Sequence, residues 1–481
     1  MKYNKSIIAS SLLLALSASH TVLAQETAAK ESDVVVQADF MANATGNVII
    51  LTQSAPEGNE IGNSSSIFQE GDFNGADIEV IGIENTVDTV QIGSDNIVVG
   101  LIQGDTNEVS VYQEGLSSVT DLSITGNANI VSIEQLGDGG PFGFIFNRSI
   151  NVIEGDGNEL FISSGDGGNW SDNTVFGSGN AVDVTQTEDW HESYTTIFGD
   201  DNEISVEQGG FFTVSNVTLE GMGNEVNVDT DGDSNRVTIS AVGDTNIFDF
   251  EQTGDDNTAE TGIFTGSSNV GEITQLGNAN IATMDTIDGI GNQFTIFQVG
   301  DGNEGYTGAI GWLNVMSVTQ VGNGNLGSTV NFDGWFNTVE IEQTGDNNIA
   351  LAEAGIGPVP FLADDNIISM VQEGNDNAAG ITLATESVSI GNQIDIAQNG
   401  DLNLLDLVLN GNDASISIMQ EGVGNFISAE DGSPMQLVGD AISFSVTQIG
   451  NDNLVAGSIT GSGSVSITQI GDFNEAIVTQ M

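Results

Sequence analysis

The chain has 481 residues, no cysteine, 62 glycines and 5 prolines, and 69 acidic residues stand against 5 basic ones for a formal net charge of −64. At 38% hydrophobic residues it is too apolar for plain disorder. It has no basic patch to neutralise phosphate, so nucleic acid is excluded, and anionic membrane surfaces repel it.

Residues 1–24 read as a secretory signal peptide. Lys2 and Lys5 form the basic end, Ile7 to Leu16 the apolar run, and Val22-Leu23-Ala24 the small-residue cleavage site. The run is too short to cross a bilayer, so the expectation is export without membrane insertion, to the extracellular space or cell surface. Residues 25–46 lack any repeat and read as an N-terminal leader. The repeat region spans 47–481 and opens with Asn47-x-Ile49-x-Leu51-x-Gln53.

Glycines then stand eleven residues apart at Gly71, Gly82, Gly93, Gly104, Gly115, Gly126 and Gly137, and Asn74, Asn85, Asn96, Asn107 and Asn129 follow three residues after most of them. Between turns the residues alternate, as in Asn107-x-Val109-x-Val111-x-Gln113-x-Gly115, which is the period of a strand. Gln69, Gln91, Gln113 and Gln135 recur every twenty-two residues, and the strands between them carry Val80, Ile102 and Ile124 instead. One unit is therefore two strands and two turns. The fold class is all-β, a β-solenoid with a period of about 22 residues.

The pattern breaks near 139–150 and near 187–198, where Trp190, His191 and Tyr194 sit. It resumes at Gly199 and continues through Gln208, Gln252, Gln275, Gln298, Gln320 and Gln343, with Thr230 where another glutamine would fall. Further insertions are read near 355–365 and 429–440, around Gln372, Gln398, Gln420, Gln448 and Gln469. The prolines fall where the repeat is interrupted, because proline cannot donate to a ladder hydrogen bond. About nineteen rungs at about 4.8 Å each give a rod on the order of 90 Å long.

Buried unpaired amides would cost about 1–3 kcal/mol each, but an amide stacked on its like can donate to one neighbour and accept from the other. The glutamines are thus expected to form a structural ladder. In the turns, glycine tolerates positive φ and asparagine is expected to accept left-handed geometry. Acidic residues crowd the same turns, as in Gly199-Asp200-Asp201 and Gly254-Asp255-Asp256. If stacked at about 5 Å they repel by roughly 0.8 kcal/mol per pair, so salt or divalent cations are possible partners there. The calcium-binding nonapeptide pattern does not recur, and no metal site or cofactor is assigned.

These residues resemble the curlin repeat, Ser-x5-Gln-x-Gly-x-x-Asn-x5-Gln, from which curli fibres are built. The turns Gly71/Asn74, Gly93/Asn96, Gly300/Asn303, Gly450/Asn453 and Gly471/Asn474 fit it, most fully in Gln469-x-Gly471-x-x-Asn474-x5-Gln480. Two departures stand out. Ordinary curlins have about five repeats, and their second strand also ends in Gln, where this chain mostly has Ile or Val. The resemblance implies an unusually long curlin-like subunit of an extracellular functional amyloid for biofilm and adhesion. Its implied partners are itself or other curlin-like subunits, with curli-type secretion and nucleation proteins.

The leading expectation is a structural protein that polymerises by strand stacking at its ends, through Asn474-x-Ala476-x-Val478-x-Gln480. The alternative is a monomeric rod-like β-solenoid adhesin or ligand-binding protein, for example ice-binding. That needs a flat outward row of one residue type, and Glu134, Glu207, Glu251 and Glu342 break the row of Thr274, Thr319, Thr447 and Thr468. An enzyme is not expected. The sole histidine after the signal, His191, reads as a surface-loop residue, and Trp170, Trp190, Trp312 and Trp335 read as packing or edge shielding.

Overall fold

Each coil is two short strands because eleven residues suffice for one strand and one tight turn. The computed structural model describes residues 35–40, 46–56, 61–137, 147–261, 264–284, 287–354, 362–461 and 463–480. The expected signal peptide, residues 1–24, and most of the leader lie outside them. All regular elements among the described residues are strands. The chain forms two compact units, Met1–Ser234 and Asn235–Met481, and each is a β-solenoid of parallel stacked coils.

In the first unit Ser64–Asp72, Thr86–Ser94, Glu108–Leu116 and Ile130–Gly137 stack in parallel on one face. Gly75–Ile81, Ile97–Gln103, Val119–Thr125 and Arg148–Glu154 stack on the facing one. The register sets Gln69 opposite Gln91, Gln91 opposite Gln113 and Gln113 opposite Gln135. Inward residues alternate with outward ones, and Val80, Ile102 and Ile124 are fully buried between the faces.

In the second unit the core adds aromatic bulk. Phe248, Phe264 and Phe294 meet edge to face at 4.9 and 6.0 Å between ring centres. Gly271 stands in register between Phe248 and Phe294. A Cβ on Gly271 would lie 2.9 Å from Met284 Sδ and 3.1 Å from the Phe248 ring. A large–small–large succession lets stacked rings share a space that three phenylalanines would overfill.

The structure corrects four boundaries. The segment 187–198 is no insertion: Glu192–Phe198 stacks in register between Trp170–Phe176 and Val214–Glu220. Within the leader, Val35–Phe40 pairs in parallel with Ser64–Asp72, so the first sheet reaches further than the repeat motif does. In the third insertion, Ala363–Asp364 already pairs with Ser389–Ile390. In the fourth, Met435–Val438 pairs with Leu404–Asn410, which leaves the excursion to the residues just before it. Hydrophobic content and inward alternation carry a strand through places where the glycine-asparagine signature lapses.

Candidate functional site: stacked amide files and turn columns

The glutamines are fully or almost fully buried, and their side chains run in one file along each solenoid. In the first unit Gln69 Nε2 donates to Gln91 Oε1 (2.7 Å), Gln91 to Gln113 (2.9 Å) and Gln113 to Gln135 (2.9 Å). Ser164 then takes the position between Gln135 and Gln186. Gln186 donates to Gln208 at 3.0 Å, and Thr230 stands opposite Gln208.

In the second unit the file is unbroken from Gln252 through Gln275, Gln298, Gln320, Gln343, Gln372, Gln398, Gln420 and Gln448 to Gln469, with every link between 2.7 and 2.9 Å. Every donor points toward the C-terminal coil. The second Nε2 proton crosses to a carbonyl of the facing sheet, as from Gln298 to Ile281 at 3.0 Å. At the start of each file the acceptor ends, Gln69 Oε1 and Gln252 Oε1, have no partner among the described residues.

The turn asparagines form a second file with the opposite polarity. Asn303 N and Nδ2 both donate back to Asn280 Oδ1 (3.0 and 3.1 Å), and Asn303 Nδ2 also donates forward to Gly322 O (2.8 Å). Asn453 follows the same rule toward Asn425 and Asn474 toward Asn453, whereas Asn96 donates to Asn74 Oδ1 through its backbone N–H alone. The left-handed residue is therefore not the asparagine. It is the one before: Asp95 (φ 61), Gly302 (φ 66), Asp452 (φ 53) and Phe473 (φ 58). The asparagine is there for hydrogen bonding between coils.

The preceding glycine is required by close approach. A Cβ on Gly93 (φ 110) would lie 2.0 Å from Gly115 O of the next coil, and one on Gly300 (φ 114) would lie 2.1 Å from Gly322 O. Gly71 and Gly450 meet the carbonyls of Gly93 and Gly471 in the same way.

His191 occupies the asparagine position of its coil and is fully buried, which corrects its reading as a surface-loop residue. Its backbone N–H donates to Asn169 Oδ1 at 3.0 Å. The ring nitrogen Nε2 donates to the Thr187 carbonyl, so Nδ1 is the acceptor for the Thr213 hydroxyl. Burial holds the ring below the ordinary histidine range; hydrogen bonding to Thr187 and the nearby Asp189 oppose this in part.

The acidic turns are not columns of touching carboxylates. In the second unit one turn position reads Asp255, Asn278, Asp301, Asn323, Asp346, Asn375, Asp401 along successive coils. Asn323 N (2.8 Å) and Nδ2 (3.1 Å) both donate to Asp346 Oδ1, while Asn323 Oδ1 accepts from Asp301 N at 2.9 Å. Alternation separates the carboxylates by two coils, about 10 Å, which is near the screening length at physiological salt. The nearest-neighbour repulsion expected from composition is thus absent from this column. Among the described residues no group of three His, Cys, Asp or Glu is placed to hold a metal ion.

The outward row beside the glutamines runs Glu251, Thr274, Phe297, Thr319, Glu342, Val371, Ala397, Met419, Thr447, Thr468, so threonine forms no continuous face. Of the four tryptophans, Trp190, Trp312 and Trp335 are 38%, 50% and 48% exposed. Trp170 lies under the Arg148 guanidinium at 4.6 Å. The strand Glu475–Gln480 pairs along Leu454–Thr460, with Ala476, Val478 and Gln480 half-buried and Ile477 58% exposed.

A β-solenoid of this kind suits a rod-like adhesin or structural protein. No protein-family model matches the chain, and no curated protein is significantly similar to it in sequence.

Proposed function

We propose that the protein is a secreted structural subunit, similar to curlins, that builds an extracellular functional amyloid fibre for matrix and adhesion. The observation that carries this reading is the unbroken file from Gln252 to Gln469, in which all amides donate in one direction. Such a file gains with each added coil, because every new amide partners a donor already in place. It also gives the glutamine file two unlike ends, a free donor at one and a free acceptor at the other.

The proposed growth is therefore head to tail, with the C-terminal strand Glu475–Gln480 as one docking edge. Its surroundings favour burial: Ile470, Phe473 and Ile477 are 72%, 78% and 58% exposed, the first two being among the most exposed large apolar residues described. The partners on this reading are further copies or related subunits, with dedicated secretion and nucleation proteins.

Purified protein lacking residues 1–24 tests it. Incubated samples are expected to bind thioflavin T, show fibres by electron microscopy and diffract at about 4.8 Å along the fibre axis. Deleting 471–481 is expected to slow growth. A protein that stays monomeric through prolonged incubation with seeds would overturn the proposal and leave the monomeric adhesin.

A further inference from the structure

One corner of the second unit departs from the chemistry of every neighbouring turn. Successive coils there read Gly289-Ile290-Gly291, Gly311-Trp312-Leu313 and Gly334-Trp335-Phe336. Ile290, Trp312, Leu313, Trp335 and Phe336 are each about half exposed, and Val315 is 39% exposed beside them. The two indoles stack at 5.2 Å with 7° between their planes. Together these side chains present an apolar area on the order of 500 Å², the size at which a surface patch on a soluble protein is commonly functional.

The backbone is also set against local preference here. Leu313 (φ 58) and Phe336 (φ 60) hold the left-handed conformation that Gly302, Gly324 and Asn347 occupy in other turns. Bulky apolar residues are poor choices both for that conformation and for exposure to water. Phe73, Phe212, Leu402 and Phe473 combine this conformation with exposure in other turns, so what sets this corner apart is its extent, five half-exposed apolar side chains on three successive coils.

The rim is acidic. Asp288 stands in register beside Ile310 at one border. At the other, Asp364 Oδ1 accepts the backbone N–H of Trp335 at 2.8 Å and is followed by the exposed Asp365. A second copy of this chain would bring carboxylates to that rim, since only 5 basic residues exist in the whole sequence. A flat sugar platform needs exposed ring faces, whereas these indoles turn one face toward each other. The geometry points to a different occupant: we propose that this corner docks a protein segment with an apolar centre and a Lys/Arg rim, a basic amphipathic partner.

The test uses the chain without residues 1–24 and two synthetic peptides. One is a Leu/Lys amphipathic helical peptide; the other keeps every Lys and replaces Leu by Ser. Binding is read from indole fluorescence and calorimetry. The amphipathic peptide is expected to bind at least about tenfold more tightly than the Ser peptide. Trp312→Ser with Trp335→Ser is expected to abolish that preference, and Trp190→Ser with Phe212→Ser, at a corner of the first unit, to leave it intact. Leu313→Gly with Phe336→Gly relieves the left-handed strain, so it keeps the fold while also weakening the preference. A preference unchanged by the Trp312/Trp335 pair, or lost equally at the control corner, overturns the proposal. So does a wild-type dimer in ultracentrifugation that the same pair of substitutions dissociates, because a second copy would then be the occupant.

Discussion

The buried amides carry the specificity of the stack. Gln298 is held by Gln275 on one side and Gln320 on the other, so Gln298→Leu strands a donor and an acceptor in the core. The expected loss is about 2–3 kcal/mol, read as a shift in the denaturant midpoint; a neutral outcome would mean the file contributes nothing to stability. Asn323→Asp makes three successive carboxylates with Asp301 and Asp346. The expected penalty is about 1.6 kcal/mol at low ionic strength, largely removed by high salt, and a salt-independent effect would contradict it. Titration runs both ways. His191 has a lowered pKa, so the unfolded state takes up its proton first and stability falls as pH drops below about 6.5. His191→Asn, which restores the residue other coils use, is expected to remove that acid loss. Asp77, Asp172, Glu353 and Asp406 have raised pKa values through desolvation. Their burial therefore weakens the fold at neutral pH, and this penalty fades as pH falls toward their ordinary values. Denaturant midpoints across pH 4 to 8 for wild type and His191→Asn separate the two contributions, with an identical profile for both proteins as the contradicting result.

At the scale of the strand, the coil is set by what two residue types cannot do elsewhere. Gly93→Ala is expected to distort its turn, since the new Cβ would meet a backbone oxygen that has nowhere to move. Gly271→Val is expected to cost about 1–3 kcal/mol through overpacking against Phe248 and Met284, with the melting temperature as the readout. Much of this level was legible in the sequence, because period two and period twenty-two are linear signals: Gln91, Gln113 and Gln135 had to share a face. Other features were not. His191 hides inside an asparagine file because its ring fits a slot that sequence spacing alone assigns to an amide. Val35–Phe40 pairs without any glycine-asparagine turn to announce it. The direction of the amide files depends on which carbonyl each Nε2 reaches, and that is fixed only once facing sheets are in place. The alternation of Asp301, Asn323 and Asp346 was present in the letters, but its meaning depends on knowing that residues about two dozen apart are neighbours.

For the molecule as a whole, charge and stacking act against each other. A net charge of −64 keeps free chains apart, whereas the proposed fibre requires each stack to accept one more coil. Because the column of the second unit already alternates Asp with Asn, general screening is the expected lever on association, and sodium and calcium salts at equal ionic strength should act alike. Light-scattering growth rates check this, and a calcium-specific acceleration abolished by chelator would contradict it. All of this presumes that coils lie in register, and the cysteine-free chain allows that to be measured directly. Phe297 and Thr319 are outward register partners on adjacent coils, whereas Val321 lies two residues further along the strand. Oxidised Phe297→Cys/Thr319→Cys protein is expected to form an intramolecular disulfide readily, because stacked partners sit about 5 Å apart. Phe297→Cys/Val321→Cys protein should not, because that separation exceeds about 7 Å. Efficient closure of the second pair, or none of the first, would contradict the register on which the amide files depend.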